Sequence, residues 1–82
     1  MMNVKAGNVT FKAEKTGECD ENYTEYDVTL NGEYVGQVTK YKDEVHFTAW
    51  DIDGEVIDTV STARKAVEVV GKQHNWNVRC SR

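Results

Sequence analysis

Proline is absent from this chain, and cysteine occurs only twice. Without proline there is no polyproline linker and no proline-kinked helix. Cys19 and Cys80 are too few for a disulfide framework, so stability has to come from packing. In a reducing compartment both are expected to be free thiols, although a bond between them would tie the ends of the domain together. The N-terminal run "MMNVKAGNVTFKAEK" lacks an apolar stretch of signal-peptide length. No stretch approaches the roughly 20 apolar residues that span a bilayer. The expectation is a soluble cytoplasmic protein. Catalytic and cofactor signatures are also missing: no GxSxG, Walker or GxGxxG pattern occurs. His46 and His74, the only histidines, do not fall in an HExxH or HxH spacing, and no CxxC is present, which argues against structural zinc. The chain is therefore expected to be no enzyme and to need no cofactor or metal.

What is present suits one small folded domain spanning residues 1–82. The hydrophobic fraction is 39%, with four Tyr, two Trp and two Phe supplying bulk. That is too apolar for a disordered chain, yet a chain this short buries only about 60–65% of its unfolded surface. Net charge is −4, and thirteen of the fourteen acids lie between Glu14 and Asp58, opposed there only by Lys15, Lys40 and Lys42. From Thr59 onward Arg64, Lys65, Lys72, Arg79 and Arg82 face only Glu68. Such asymmetry bears on partners rather than on fold.

The pattern predicts an α+β fold: an antiparallel meander sheet of four to five strands with one C-terminal helix packed on one face. Val9–Ala13 opens it. "YTEYDVTL" and "EYVGQVTKY" flank Asn31-Gly32, a strong signal for a type I′ hairpin turn, in a register that sets Leu30 against Glu33 and Val28 against Val35. "VHFTAWDI" and "EVIDTV" flank Asp53-Gly54, a second I′ signal, which pairs Ile52 with Glu55, Trp50 with Ile57 and Ala49 with Asp58. Val45, Phe47, Ala49, Val56 and Val60 then share one face, with Trp50, Ile52 and Ile57 on the other. Apolar residues on both faces require either a curled sheet or a partner on the second face; a homodimer is one such arrangement. From Ser61 or Thr62, as N-cap, the period becomes helical, and Ala63, Ala66, Val67 and Val70 form the apolar stripe. Gly71 is expected to weaken the last turn, His74-Asn75 to end the helix, and "WNVRC" suits a short final strand.

Asp51, Asp53 and Glu55 around Gly54 share part of a calcium loop's pattern. The further carboxylates and the bidentate acid that close such a loop are missing, so "DIDG" is read as a hairpin turn. The aromatics Tyr23, Tyr34, Tyr41, Trp50 and Trp76 are candidates for stacking on bases or anchoring a protein interface.

From Tyr34 the stretch "YVGQVTKYKDEVHFTAWDIDGEVIDTVSTARKAVEVV" resembles the three-stranded-sheet-plus-helix module of integrase arm-binding and plant ethylene-response DNA-binding domains. Gly36, Trp50, Gly54, Ser61, Thr62, Ala63 and Ala66 carry the likeness. The resemblance implies that topology and, as an alternative function, nucleic-acid binding through Lys40, Lys42, Arg64, Lys65 and Lys72. In that family the sheet reads the major groove with Arg and Lys. Here the corresponding strands carry Glu33, Asp43, Glu44, Asp51, Asp53, Glu55 and Asp58, and phosphate binding depends on cations that displace counterions. In style the chain is also similar to small acidic phage- or prophage-encoded proteins that block host enzymes such as restriction systems, CRISPR effectors or RNA polymerase. The leading expectation is thus a non-enzymatic acidic binding protein of phage or mobile-element origin. It inhibits a basic, nucleic-acid-handling host protein in an anti-CRISPR-like or DNA-mimicking way. Its expected contact residues are Glu25, Asp27, Asp51, Asp53 and Asp58, with Tyr34 and Trp50 as anchors.

Overall fold

A computed structural model describes residues 2–17 and 21–80, the Cys80 side chain excepted. The pairing state expected for Cys19 and Cys80 lies outside the described residues. Six strands form one antiparallel sheet in strict sequence order: β1 (Met2–Ala6), β2 (Val9–Lys15), β3 (Tyr23–Leu30), β4 (Glu33–Tyr41), β5 (Phe47–Asp51) and β6 (Val56–Val60), followed by helix α1 (Ala63–Cys80). The sheet curls into a half-barrel with the helix against one face, so the α+β expectation holds with one strand more than foreseen. Apolar residues nevertheless remain on the face away from the helix, where Trp50 and the exposed Ile52 line a recess. No helix among the described residues is long and apolar enough to cross a membrane.

The additional strand is β1. Its Val4 and Ala6 point inward and Asn3 and Lys5 outward, the period-2 alternation of a half-buried strand. It joins β2 through the two-residue loop Gly7-Asn8, with Ala6 opposite Val9 and Gly7 at φ 66°. A glycine with positive φ at the first loop position is the requirement of a II′ turn. At the next hairpin Asn31 and Gly32 both take positive φ, 53° and 86°, as a I′ turn demands, and Leu30 pairs with Glu33.

Two bulges then break the foreseen registers. Val28 pairs with Gly36 rather than Val35, while Thr29 pairs with Tyr34, so Val35 is an extra residue in β4. In the last hairpin Ala49 does pair with Asp58, but Trp50 pairs with Val56, leaving Ile57 as the extra residue of β6. A one-residue insertion moves every later side chain to the opposite face. Val35 and Val38 are therefore both buried although three apart. In β6, Ile57 packs toward the core beside Val60, while Val56 is turned outward with 55% of its surface exposed. Val45 lies outside β5 and is exposed as well. The turn at "DIDG" is also longer than the two residues expected. Asp51 N donates to Glu55 O at 2.9 Å and Gly54 N to Asp51 O at 3.1 Å. Only Gly54 has positive φ there, 83°, which makes a three-residue loop closed by a glycine in the left-handed region.

The core lies between the sheet and the helix stripe Ala66, Val67 and Val70, with Phe11, Val28 and Val38 as its largest fully buried sheet residues. Thr62 caps the helix: its Oγ1 accepts from Lys65 N at 3.1 Å. Beyond that cap the helix does not stop at His74-Asn75, and "WNVRC" forms its last turns rather than a strand. Gly71 explains why the helix persists. A Cβ there would meet the Phe11 ring at 2.7 Å and Ala6 Cβ at 2.9 Å, so glycine lets the helix settle onto β1 and β2. Past this contact Asn75 Nδ2 donates to Ala6 O at 3.0 Å, and His74 meets the Phe11 ring edge-on at 6.0 Å. Tertiary packing thus outweighs the low helix propensity of glycine.

Candidate functional site

The sheet face turned away from the helix carries the chemistry, and the strand registers lay it out in rows. Glu14, Asp27, Gln37, Trp50 and Val56 lie side by side across β2 to β6. The neighbouring row runs Glu25, Thr39, Thr48 and Thr59, and a third pairs Tyr23 with Tyr41. No Lys or Arg from β3 to β6 falls in these rows. Glu14 and Asp27 stand directly opposite one another, a like-charge pair that destabilises a sheet. Lys12 offsets it with a 3.1 Å ion pair to Glu14.

The rows border a shallow recess of about 310 Å³ lined chiefly by Tyr23, Tyr34, Gln37, Tyr41, Trp50 and Asp51. Two of its walls, Trp50 and Tyr23, are fixed by side-chain hydrogen bonds. Trp50 Nε1 donates to Thr39 Oγ1 at 2.8 Å, which fixes the indole and covers Thr39 to 8% exposure. The Tyr23 and Tyr41 rings are 4.9 Å apart and tilted. Tyr23 OH donates to Glu25 Oε1 at 2.7 Å, and Thr16 Oγ1 donates to Glu25 Oε2 at 2.9 Å. Tyr34 sits beside this charge. Partial burial, then Asp27, then Glu25 push its phenol above its usual 10.0, because an anion there would be poorly solvated and repelled.

A pH dependence follows. With its folded-state value raised, Tyr34 favours folding in the neutral form. That contribution is complete below pH 10.0 and is lost as pH rises through the folded-state value. Ultraviolet titration of the protein and of Tyr34→Phe should locate the Tyr34 step above its usual value, and Asp27→Asn should bring it down. A step at or below the usual value would contradict the described field.

Of the residues expected to make contact, the fold gathers Glu25, Asp27, Tyr34, Trp50 and Asp51 around the recess. Asp51 is occupied by the turn, its Oδ1 accepting from Asp53 N and Glu55 N at 2.9 Å each. Asp53 stays exposed at the hairpin tip. Asp58 lies on the free edge strand, where its Oδ1 accepts from Thr59 N at 2.8 Å. Among the described residues no group of three His, Cys, Asp or Glu side chains could hold a metal ion. Of the cations proposed for nucleic acid, only Lys42, exposed just beyond Tyr41, borders this face. Lys40 lies over the Phe47 ring, Lys72 pairs with Glu68 at 3.6 Å, and Arg64 and Lys65 occupy the first helical turn.

Gln37 and Thr39 were not foreseen in the site, and Tyr23 and Tyr41 only as generic aromatics. Tyr23 follows from the alternation of β3 with Glu25 and Asp27; for the other three the signal is the conflict in β4. Val35 and Val38 cannot face the same way in a straight strand, and a bulge between them carries Gln37, Thr39 and Tyr41 to the side of Glu25 and Asp27. Comparisons with protein-family models, with curated proteins and with solved structures found no match.

Proposed function

We propose that this chain is a non-enzymatic binding protein whose acidic, aromatic sheet face docks onto a cationic surface of a nucleic-acid-handling protein. One observation carries the proposal: Glu25 and Asp27 are set beside Tyr23, Tyr34, Tyr41 and Trp50, with no Lys or Arg from β3 to β6 among the outward rows. Carboxylates of this kind steer encounter with a basic partner and disfavour a polyanion. Half-exposed aromatics held in one orientation supply anchors. The likeness of style to phage-encoded blockers supports inhibition of a host protein, in the anti-CRISPR-like or DNA-mimicking sense, as the purpose of the docking.

Capture from a host lysate by immobilised wild-type chain, followed by titration of the purified partner, tests this. A basic nucleic-acid-handling protein is the expected catch. Asp27→Asn combined with Trp50→Ala should weaken its binding by roughly thirtyfold or more, the loss of a hot-spot contact. Asp58→Asn, on the sheet edge, should leave binding unchanged. Added salt should slow association. Tight binding of duplex DNA at physiological ionic strength would overturn the proposal, as would light scattering that finds this face consumed by a second copy of the chain.

A further inference from the structure

The proposed docking face has a centre, and this inference rests on that reading. We propose that the recess between Tyr23, Tyr41, Tyr34 and Trp50 is a receptacle for one guanidinium group, the side chain of an arginine on the partner. Four aromatic side chains line it together with Gln37 and Asp51, and Asp27 stands next to Gln37 in the strand register. An aromatic face attracts a cation through its quadrupole, most strongly for indole. Guanidinium suits the site better than ammonium because it is planar, stacks on rings and sheds water more easily.

The hydrogen-bond inventory agrees. Both Glu25 oxygens already accept, from Thr16 and Tyr23, so Glu25 contributes field and holds a wall. The Asp27 carboxylate accepts no hydrogen bond from another described residue. It stands in register with Gln37, whose other neighbour is Trp50. A planar fork stacked on Trp50 would therefore find the Asp27 carboxylate and the Gln37 amide oxygen as acceptors on one side. Tyr34, whose phenol is raised first by burial and then by Asp27 and Glu25, lies within reach of the same two carboxylates. Because Trp50 and Tyr23 are each held by a side-chain hydrogen bond, little ordering remains to be done on binding.

Fluorescence titration of a Trp76→Phe variant, in which Trp50 is the only indole, tests the proposal with three probes: N-acetyl-arginine amide, its neutral citrulline counterpart and N-acetyl-lysine amide. The arginine probe should produce a saturable change in Trp50 emission. It should bind about fivefold or more tightly than the citrulline probe, the scale of a partly desolvated cation–π contact, and more tightly than the lysine probe. Asp27→Asn in the same background, its melting curve first shown to be unchanged, should weaken arginine by about fivefold or more. Equal binding of citrulline, equal binding of lysine, or indifference to Asp27→Asn would each overturn the assignment. If arginine fails while capture of a basic partner still depends on Asp27 and Trp50, the receptacle is wrong and the docking face stands. If arginine binds and no basic partner is captured, the docking reading fails on its own.

Discussion

Phe11→Ala is expected to remove about 3–5 kcal/mol of stability. A domain of 82 residues has roughly 4–12 kcal/mol in total, so this variant should lose about a quarter or more of its stability. Phe11 is fully buried, faces Val4 across the first hairpin, meets the His74 ring and lies directly beneath Gly71. It therefore touches both edges of the layer between sheet and helix. Truncation loses the transfer free energy of the ring and leaves a void that the strands cannot close, because Ala6, Ala13 and Ala66 around the core are already small. Urea unfolding measures the loss: the midpoint should fall steeply at constant slope. Phe11→Leu should recover most of it. A loss below about 1 kcal/mol for Phe11→Ala would mean that the helix is not held by this contact.

Gly36→Ala is the second large effect, expected to cost about 3 kcal/mol and to damage the recess at the same time. A Cβ at Gly36 would meet Val70 Cγ1 at 2.5 Å and the backbone oxygen of Trp50 at 2.6 Å. A flexible side chain can retreat, but a carbonyl in a strand cannot move without moving its strand. The double variant Gly36→Ala, Val70→Ala separates the two clashes. Relieving Val70 should restore only part of the loss, giving a measurable coupling energy between the sites. Trp50 emission should shift in both variants because its backbone is displaced. An unchanged melting temperature for Gly36→Ala would contradict the close approach of β4, β5 and the helix.

Several features could be read from the residues alone because local chemistry decides them. Asn31-Gly32 specifies its turn, Thr62 its cap, and the spacing of Ala66, Val67 and Val70 its buried stripe. Other features turn on contacts distant in sequence. β1 alternates and Gly7-Asn8 is a recognised hairpin signal, but Val4 and Ala6 are its only fully buried apolar residues, too few for periodicity alone to mark a strand. Gly71 looks like a helix end by propensity, and only the position of Phe11 shows that it is a packing residue. The two bulges matter most for the site. Glu25, Asp27 and Tyr34 share a face by simple register, but Gln37 and Trp50 join it only because Val35 is an extra residue, and Val56 rather than Ile57 lies beside Trp50 because Ile57 is another; a regular alternation does not contain that information. Val35 with Val38, and Ile57 with Val60, show the same apolar spacing of three within a strand. That spacing is the sign by which a bulge can be sought in sequence.

The hydrogen bond from Asn75 to Ala6 spans 69 positions, whereas each pair of adjacent strands joins near neighbours in sequence. The molecule is thus a row of local hairpins lying under one helix, with a clasp between its first strand and the later helical turns. Neither extremity can open as far as the clasp alone: loosening the helix back to Gly71, His74 and Asn75 bares Ala6 and Phe11, and release of the first strand removes the seat on which Gly71 rests. The two extremities therefore open and close as one cooperative unit, and amide exchange protection in β1 and in the C-terminal half of α1 should rise and fall together.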